Sequence, residues 1–260
     1  MGLVSFLINY IAPIFIVISP ITSYADQIWS IHRTRSSHGF SLDIPLIMLV
    51  ASILRVYYWF GARFDTALLI QAAIMIVMQM ALLKVSLDYR PPPTNKGGIN
   101  SAPFAGSREG ELGVVRPYNF WQWRNPKPYW EFLFYLALGL LAFQLVLPVT
   151  PLYGVYTVLI GYVALGVEAT LPLPQILSNQ RSRSCKGFRF SVLFSWILGD
   201  VMKMVFFTLS ESSIPWAFKL CGLFQFGCDI YLGVQYWQFG DGPAIGRVAE
   251  EAREKDYRLS

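Results

Sequence analysis

Charged residues are scarce in this chain of 260 residues: Asp, Glu, Lys and Arg make up 14% of it and hydrophobic residues 54%, against about 25% and 45–50% in soluble domains. The composition excludes an ordinary water-soluble globule and is that of a membrane protein. Cysteine is equally sparse. Cys185, Cys221 and Cys228 have no metal-ligand spacing and no even-numbered disulfide framework. No HExxH, GxSxG, Walker or dinucleotide fingerprint occurs, so neither an enzyme nor a cofactor is expected. No Asn-x-Ser/Thr glycosylation site occurs either. The first apolar stretch has no basic leader and no small-residue cleavage site, so it is expected to be a retained helix and not a signal peptide. Phe6 stands where N-myristoylation wants Ser or Thr. The formal net charge of +5 does not point to nucleic acid, because the basic residues flank apolar spans and do not form a folded polar face.

What the chain has is long apolar runs. Seven of them, Leu3 to Tyr24, Leu42 to Phe60, Thr66 to Leu87, Tyr129 to Val149, Leu152 to Leu173, Phe190 to Leu209 and Pro215 to Trp237, can each cross a hydrocarbon layer about 30 Å thick at 1.5 Å per helical residue. The loops after the first and fifth spans, the linker after the third and the C-terminal tail then share one side of the membrane. They hold 17 of the 21 Lys and Arg, among them Arg33, Arg35, Arg90, Arg116, Arg124, Arg181, Arg183, Lys186 and Arg253, whereas the opposite loops hold only Arg63 and Lys219. The positive-inside rule puts the basic side in the cytosol and the N-terminus in the lumen. The linker, Asp88 to Pro128, contains Pro91-Pro92-Pro93 and Gly97-Gly98 and is expected to be flexible at first. Its aromatic and basic end, Arg116 to Trp130, suits the headgroup level.

Setting Gln27 against Gln175 reveals a repeat. Residues 27–40, QIWSIHRTRSSHGF, and 175–188, QILSNQRSRSCKGF, are identical at eight of fourteen positions. The register continues, pairing Arg55 with Lys203 and Ser52 with Asp200. A duplicated three-helix unit follows. The single helix between the copies restores their orientation. The expected fold is therefore an all-α membrane protein of seven transmembrane helices, arranged as two parallel three-helix repeats joined by helix 4. Its divisions are a first unit (1–87), a linker (88–128), helix 4 (129–150), a second unit (151–239) and a cytosolic tail (240–260).

At these residues the sequence resembles the PQ-loop family, whose fold group includes sugar and amino-acid transporters. The second copy carries the signature Leu171-Pro-Leu-Pro174-Gln175-Ile, whereas the first has Asp26-Gln27 where Pro-Gln is usual. Residues 52–64, SILRVYYWFGARF, together with Gly199-Asp200-Val-Met-Lys203 and Cys221-Gly-Leu-Phe-Gln225-Phe-Gly-Cys-Asp229, are most similar to the PQ-loop-containing protein 1 branch. That branch includes a fungal Golgi and endosomal member regarded as a phospholipid scramblase that antagonises flippases. The resemblance implies phospholipid as the partner, Golgi or endosomal membranes as the location and functional opposition to flippases. A homo-oligomer stays open.

Ionisable residues inside spans are the candidate site, since each costs roughly 2.5–3.5 kcal/mol on insertion scales unless it is paired or wet. They are Asp26, Arg55, Glu168, Asp200, Lys203 and Asp229. Asp200 and Lys203, three apart, share a helix face, as do Gln225 and Asp229, four apart. Asp26 is the expected partner of Arg55 from the neighbouring helix. These groups either form neutralised pairs that hold helices together or line a polar track along which a lipid phosphate passes Arg55 and Lys203. Pro13, Pro20, Pro172 and Pro174, with the motif residues Gln27 and Gln175, are candidate hinges, because proline removes a backbone hydrogen bond. His32 and His38 fall in a basic loop, as solvated residues. Two other functions stay open: proton-coupled transport of a small polar solute, with Asp229 or Glu168 carrying the proton, and a non-transporting trafficking adaptor.

Overall fold

The computed structural model describes residues 11–35, 37, 42–90, 120–121, 123, 125–183, 185, 190–209 and 214–240. The first ten residues, His38, most of the linker and the tail lie outside the described residues. Among those described there are eight α-helices: α1 (Ala12–Thr34), α2 (Asp43–Ala62), α3 (Thr66–Asp88), α4 (Lys127–Val146, extended by a 3-10 turn Leu147–Val149), α5 (Tyr153–Ala169), α6 (Leu173–Ser182), α7 (Phe190–Leu209) and α8 (Trp216–Phe239). Five of them, α1, α2, α3, α4 with its 3-10 turn and α8, are long and apolar enough to cross a bilayer.

Two boundaries differ from the sequence reading, for physical reasons. α1 runs unbroken through Pro20 and on to Thr34, past the expected end at Tyr24. Its last turns carry Asp26, Trp29 and the basic His32-Arg33, a polar extension beyond the apolar run. In the second unit the chain breaks instead. α5 stops at Ala169, and Thr170 to Pro172 form a tight turn in which the Leu171 amide donates to the Glu168 carbonyl at 3.0 Å. Pro172, without an N–H, then starts α6, with Pro174 at its second position. The side chain of Pro174 lies outside the described set.

Packing orders these helices as a ring. α3 packs against both α1 and α2, and α8 packs against α7, α5 and α6; across the halves α1 lies on α7 and α2 on α5. The α2–α5 crossing is close because Gly61 faces Thr157 and Gly161 faces Tyr58, where a Cβ would stand 2.6 Å from the Tyr58 ring. α4 packs on α2, meets α5 near its C-terminal end, where Gln144 donates to the Tyr153 hydroxyl at 2.7 Å, and leaves Phe134, Tyr135, Phe143 and Leu145 exposed, the surface expected toward lipid tails. The aromatic end of the linker faces protein. Trp121 is buried, donates its indole N–H to the Leu42 carbonyl at 2.8 Å and meets the Tyr129 ring edge-on at 4.8 Å.

The two halves finish their first loops alike. Arg35 and Arg183, 148 residues apart, both take left-handed φ values, 53° and 48°, as helix C-caps do. Arg35 stands over the Tyr89 ring and Arg183 over the Phe239 ring. The Ser37 amide donates to the Tyr89 carbonyl at 3.0 Å, and the Cys185 amide to Gly240 at 2.9 Å. The tie at Tyr89 also includes His32, whose Nδ1 lies 3.1 Å from the Tyr89 hydroxyl.

Candidate functional site

The ring interior holds the polar residues that an apolar chain must account for. Arg55, on α2, is 5% exposed and forms a salt bridge with Glu168 at the end of α5. This corrects the expected pairing with Asp26. Asp26 sits on the exposed face of the long α1, whereas the close α2–α5 crossing brings the last turn of α5 onto Arg55. Arg55 also donates to Gln71 Oε1 at 3.4 Å and stands over the Phe218 ring at 5.8 Å.

Lys203 enters the same space from α7. A cavity of about 30 Å³ is lined by Arg55, Gln71, Glu168, Lys203 and Gln225 among polar residues, and by Leu68, Leu165, Phe207, Phe218, Cys221 and Gly222. It has room for about two waters. The two cations paired by the repeat therefore face one cavity, each from its own half. Gln71 lines it too, although nothing in the sequence reading singled it out; its signal was a buried-span glutamine one turn into α3. Toward the α2–α3 end, Tyr58, Phe64 and Phe218 pack ring on ring, with Phe64 and Phe218 centred 4.9 Å apart.

A second polar group lies next to it. Lys203 Nζ is 3.4 Å from Asp200 Oδ1, the in-helix pair expected from their spacing. Asp200 neighbours Asp229 on α8, and Tyr24 on α1 lies beside both Gln79 and Asp229. α3 and α8 begin at Thr66 and Trp216, 150 residues apart, so Gln79 and Asp229, also 150 apart, stand at equivalent depths. Neither is exposed at all. Gln225 is only half-buried and lines the cation cavity, one turn from Asp229.

The motif residues sit at the other end of the second unit. Gln175 donates to Asn179 Oδ1 at 2.7 Å within α6, and Gln235 of α8 ties that helix down by donating to the Ile176 carbonyl at 3.1 Å. Pro20 is buried inside α1, and Gln27 is half-buried on its polar extension. The hinge-like break is thus found beside Pro172, immediately after Glu168, and α1 has no counterpart to it.

Compared with known proteins, residues 4–68 and 156–216 each match the PQ loop repeat model. The chain is 29% identical to Scramblase ANY1 of Saccharomyces cerevisiae, an alignment covering 88% of this chain and 70% of that protein.

Proposed function

Because the chain belongs to the PQ-loop repeat family, we propose that it is a phospholipid scramblase in which a headgroup crosses the bilayer along the ring interior while the acyl tails stay in lipid. The observation that carries this reading is the convergence of Arg55 and Lys203, one from each half, on a single polar cavity. A cavity with two cations and one carboxylate, Glu168, has net charge +1, the sign that attracts a phosphodiester; admitting one requires the cavity, which now has room for about two waters, to widen. The Nε of Arg55 is buried with no acceptor among the described residues, a donor that a phosphate oxygen would satisfy. The name of the yeast relative, a scramblase, agrees with this direction.

Passage of this kind needs no chemical step, no cofactor and no energy source. The residues assigned to the path are Arg55, Lys203, Asp200, Glu168, Gln225 and Asp229, with Asp26 at its cytosolic approach. Seven spanning helices in two parallel units, a lumenal N-terminus and a cytosolic C-terminus complete the proposal, supported by the basic-residue asymmetry and by the like closure of the two first loops. Golgi or endosomal residence and opposition to flippases follow from the family resemblance. The test is reconstitution of purified protein into liposomes bearing fluorescent phospholipid, with chemical quenching of the outer leaflet. Rapid loss of the inner-leaflet signal, independent of any pH gradient, is the expected result. Saturable proton-dependent uptake of a solute without lipid movement would instead establish a transporter.

A further inference from the structure

Beside the cation cavity the interior carries the opposite charge. Asp200 and Asp229 contribute two carboxyls beside the Lys203 ammonium, which also lines the cation cavity, so the two groups taken together carry a formal net charge of −1. Oδ2 of Asp200, both oxygens of Asp229 and Oε1 of Gln79 are all buried without a hydrogen-bond donor among the described residues. Asp229 and Gln79 are fully buried and Asp200 is 4% exposed. Buried acceptors left without donors are costly, and here Gln79 and Asp229 both lie beside Tyr24, with Asp200 next to Asp229. A primary ammonium, with three N–H donors and a positive charge, would satisfy several of them at once.

Its position relative to the phosphate cavity is set by helix geometry. Asp200 is three residues from Lys203 on α7 and Asp229 four from Gln225 on α8, so the backbone positions of the anionic group lie about one helical turn, roughly 5.4 Å, along the axis from those of the cationic one, with the Lys203 ammonium reaching between them. That is the reach from phosphorus to nitrogen in an ethanolamine phosphate. Lys203 borders both groups.

Building on the scramblase reading, we propose that Asp200, Asp229 and Gln79 form a binding site for the primary ammonium of a phospholipid headgroup whose phosphate is held by Arg55 and Lys203. The path then favours ethanolamine-type headgroups over choline. A trimethylated nitrogen carries the same charge but has no N–H to offer the four acceptors, so its passage leaves them unsatisfied.

The experiment uses full-length protein in liposomes with acyl-chain-labelled phosphatidylethanolamine, its mono- and dimethylated forms, and phosphatidylcholine, each assayed separately by outer-leaflet quenching. Phosphatidylethanolamine is expected to cross at least about fivefold faster than phosphatidylcholine, the factor of a single net hydrogen bond, with the methylated forms graded between. Asp229→Asn should bring the ratio toward one. Should that variant fail to fold, Gln79→Met, which removes one acceptor and keeps the length of the side chain, should also lower the ratio. Equal rates across the methylation series, or an unchanged ratio in both variants, overturn the ammonium site while leaving scrambling intact. No movement of any lipid overturns the scramblase reading itself, and uptake of soluble phosphoethanolamine without lipid movement assigns the acceptors to a solute.

Discussion

Arg55 and Glu168 can be removed together, which separates the path from the fold. Removing Arg55 alone leaves the Glu168 carboxylate buried without its cation and should cost about 3–5 kcal/mol of stability. Replacing both, Arg55→Met with Glu168→Leu, exchanges a buried ion pair for apolar packing and is expected to be neutral or stabilising by about 1–4 kcal/mol. The double variant nonetheless takes one of two cations from the cavity. A hydrogen bond to a charged group is worth about 1.5–3 kcal/mol, and about 1.4 kcal/mol is tenfold in rate, so the phosphate should cross about ten- to a hundredfold more slowly. The assay is leaflet accessibility in proteoliposomes, with thermal unfolding in detergent measured on the same preparation. A double variant as stable as the native protein and equally fast would refute the idea that Arg55 handles the phosphate, and the pair would then be a helix fastener.

Further outcomes follow from other contacts. Gly161→Val should lower the yield of folded protein sharply, because even its Cβ would stand 2.6 Å from the Tyr58 ring, while Gly166→Ala, with open space around it, should be neutral or better by up to about 1 kcal/mol; detergent size-exclusion profiles distinguish them. Phe218→Ala removes the ring beneath Arg55 and part of the aromatic cluster above the cavity, so the unfolding temperature should fall by the equivalent of about 3–5 kcal/mol while the remaining folded protein scrambles faster. Trp121→Ala should release the end of the linker, seen as new proteolytic cleavage near residues 116–126, since the indole fills a buried site and bonds Leu42. Tyr89→Ala removes the ring under Arg35 and the hydroxyl between Arg35 and His32. Faster amide exchange around Ser37 is expected, with little change in global stability, because the tie is exposed and cation–π contacts there are worth about 0.5–1 kcal/mol.

The helices were legible because apolar runs of bilayer length leave few alternatives, and the duplication was legible because its best-matched stretch is polar, where chance similarity is low. The structure supports that register in an unanticipated detail: Arg35 and Arg183, aligned by sequence, share a left-handed backbone and an aromatic partner. The ends of α1 and α5 were less legible. Hydropathy marks where apolar surface stops, and α1 continues beyond that point as a polar helix to Thr34. It cannot distinguish a proline that a helix absorbs, such as Pro20, from one that starts a new helix, such as Pro172; that depends on which carbonyls find other donors, as Glu168 does through Leu171.

For the interior residues, spacing along one helix was informative and proximity between helices was not. Asp200 with Lys203 follows from a three-residue interval, whereas Asp26 is expected beside Arg55 only because Ser52 leaves the first unit without an in-helix acid and Asp26 lies on the neighbouring helix. What decides the partner is the α2–α5 crossing, and that crossing depends on Gly61 and Gly161, which carry no charge and attract no notice in a search for polar residues. Glu168 comes from the second half, immediately before the break at Thr170 to Pro172, so the ion pair ties Arg55 to the one segment of the ring whose backbone is interrupted. On the proposed path a phosphate entering the cavity would compete with Glu168 for Arg55, beside the interruption in the backbone. Continuous α1 offers the symmetric partner, Lys203, no such neighbour, and Lys203 is instead held within its own helix by Asp200. Two cations that the repeat makes equivalent are therefore restrained differently, one across the halves and one within a helix, so that on the proposed path a lipid would pass from an exchangeable partner to a fixed one.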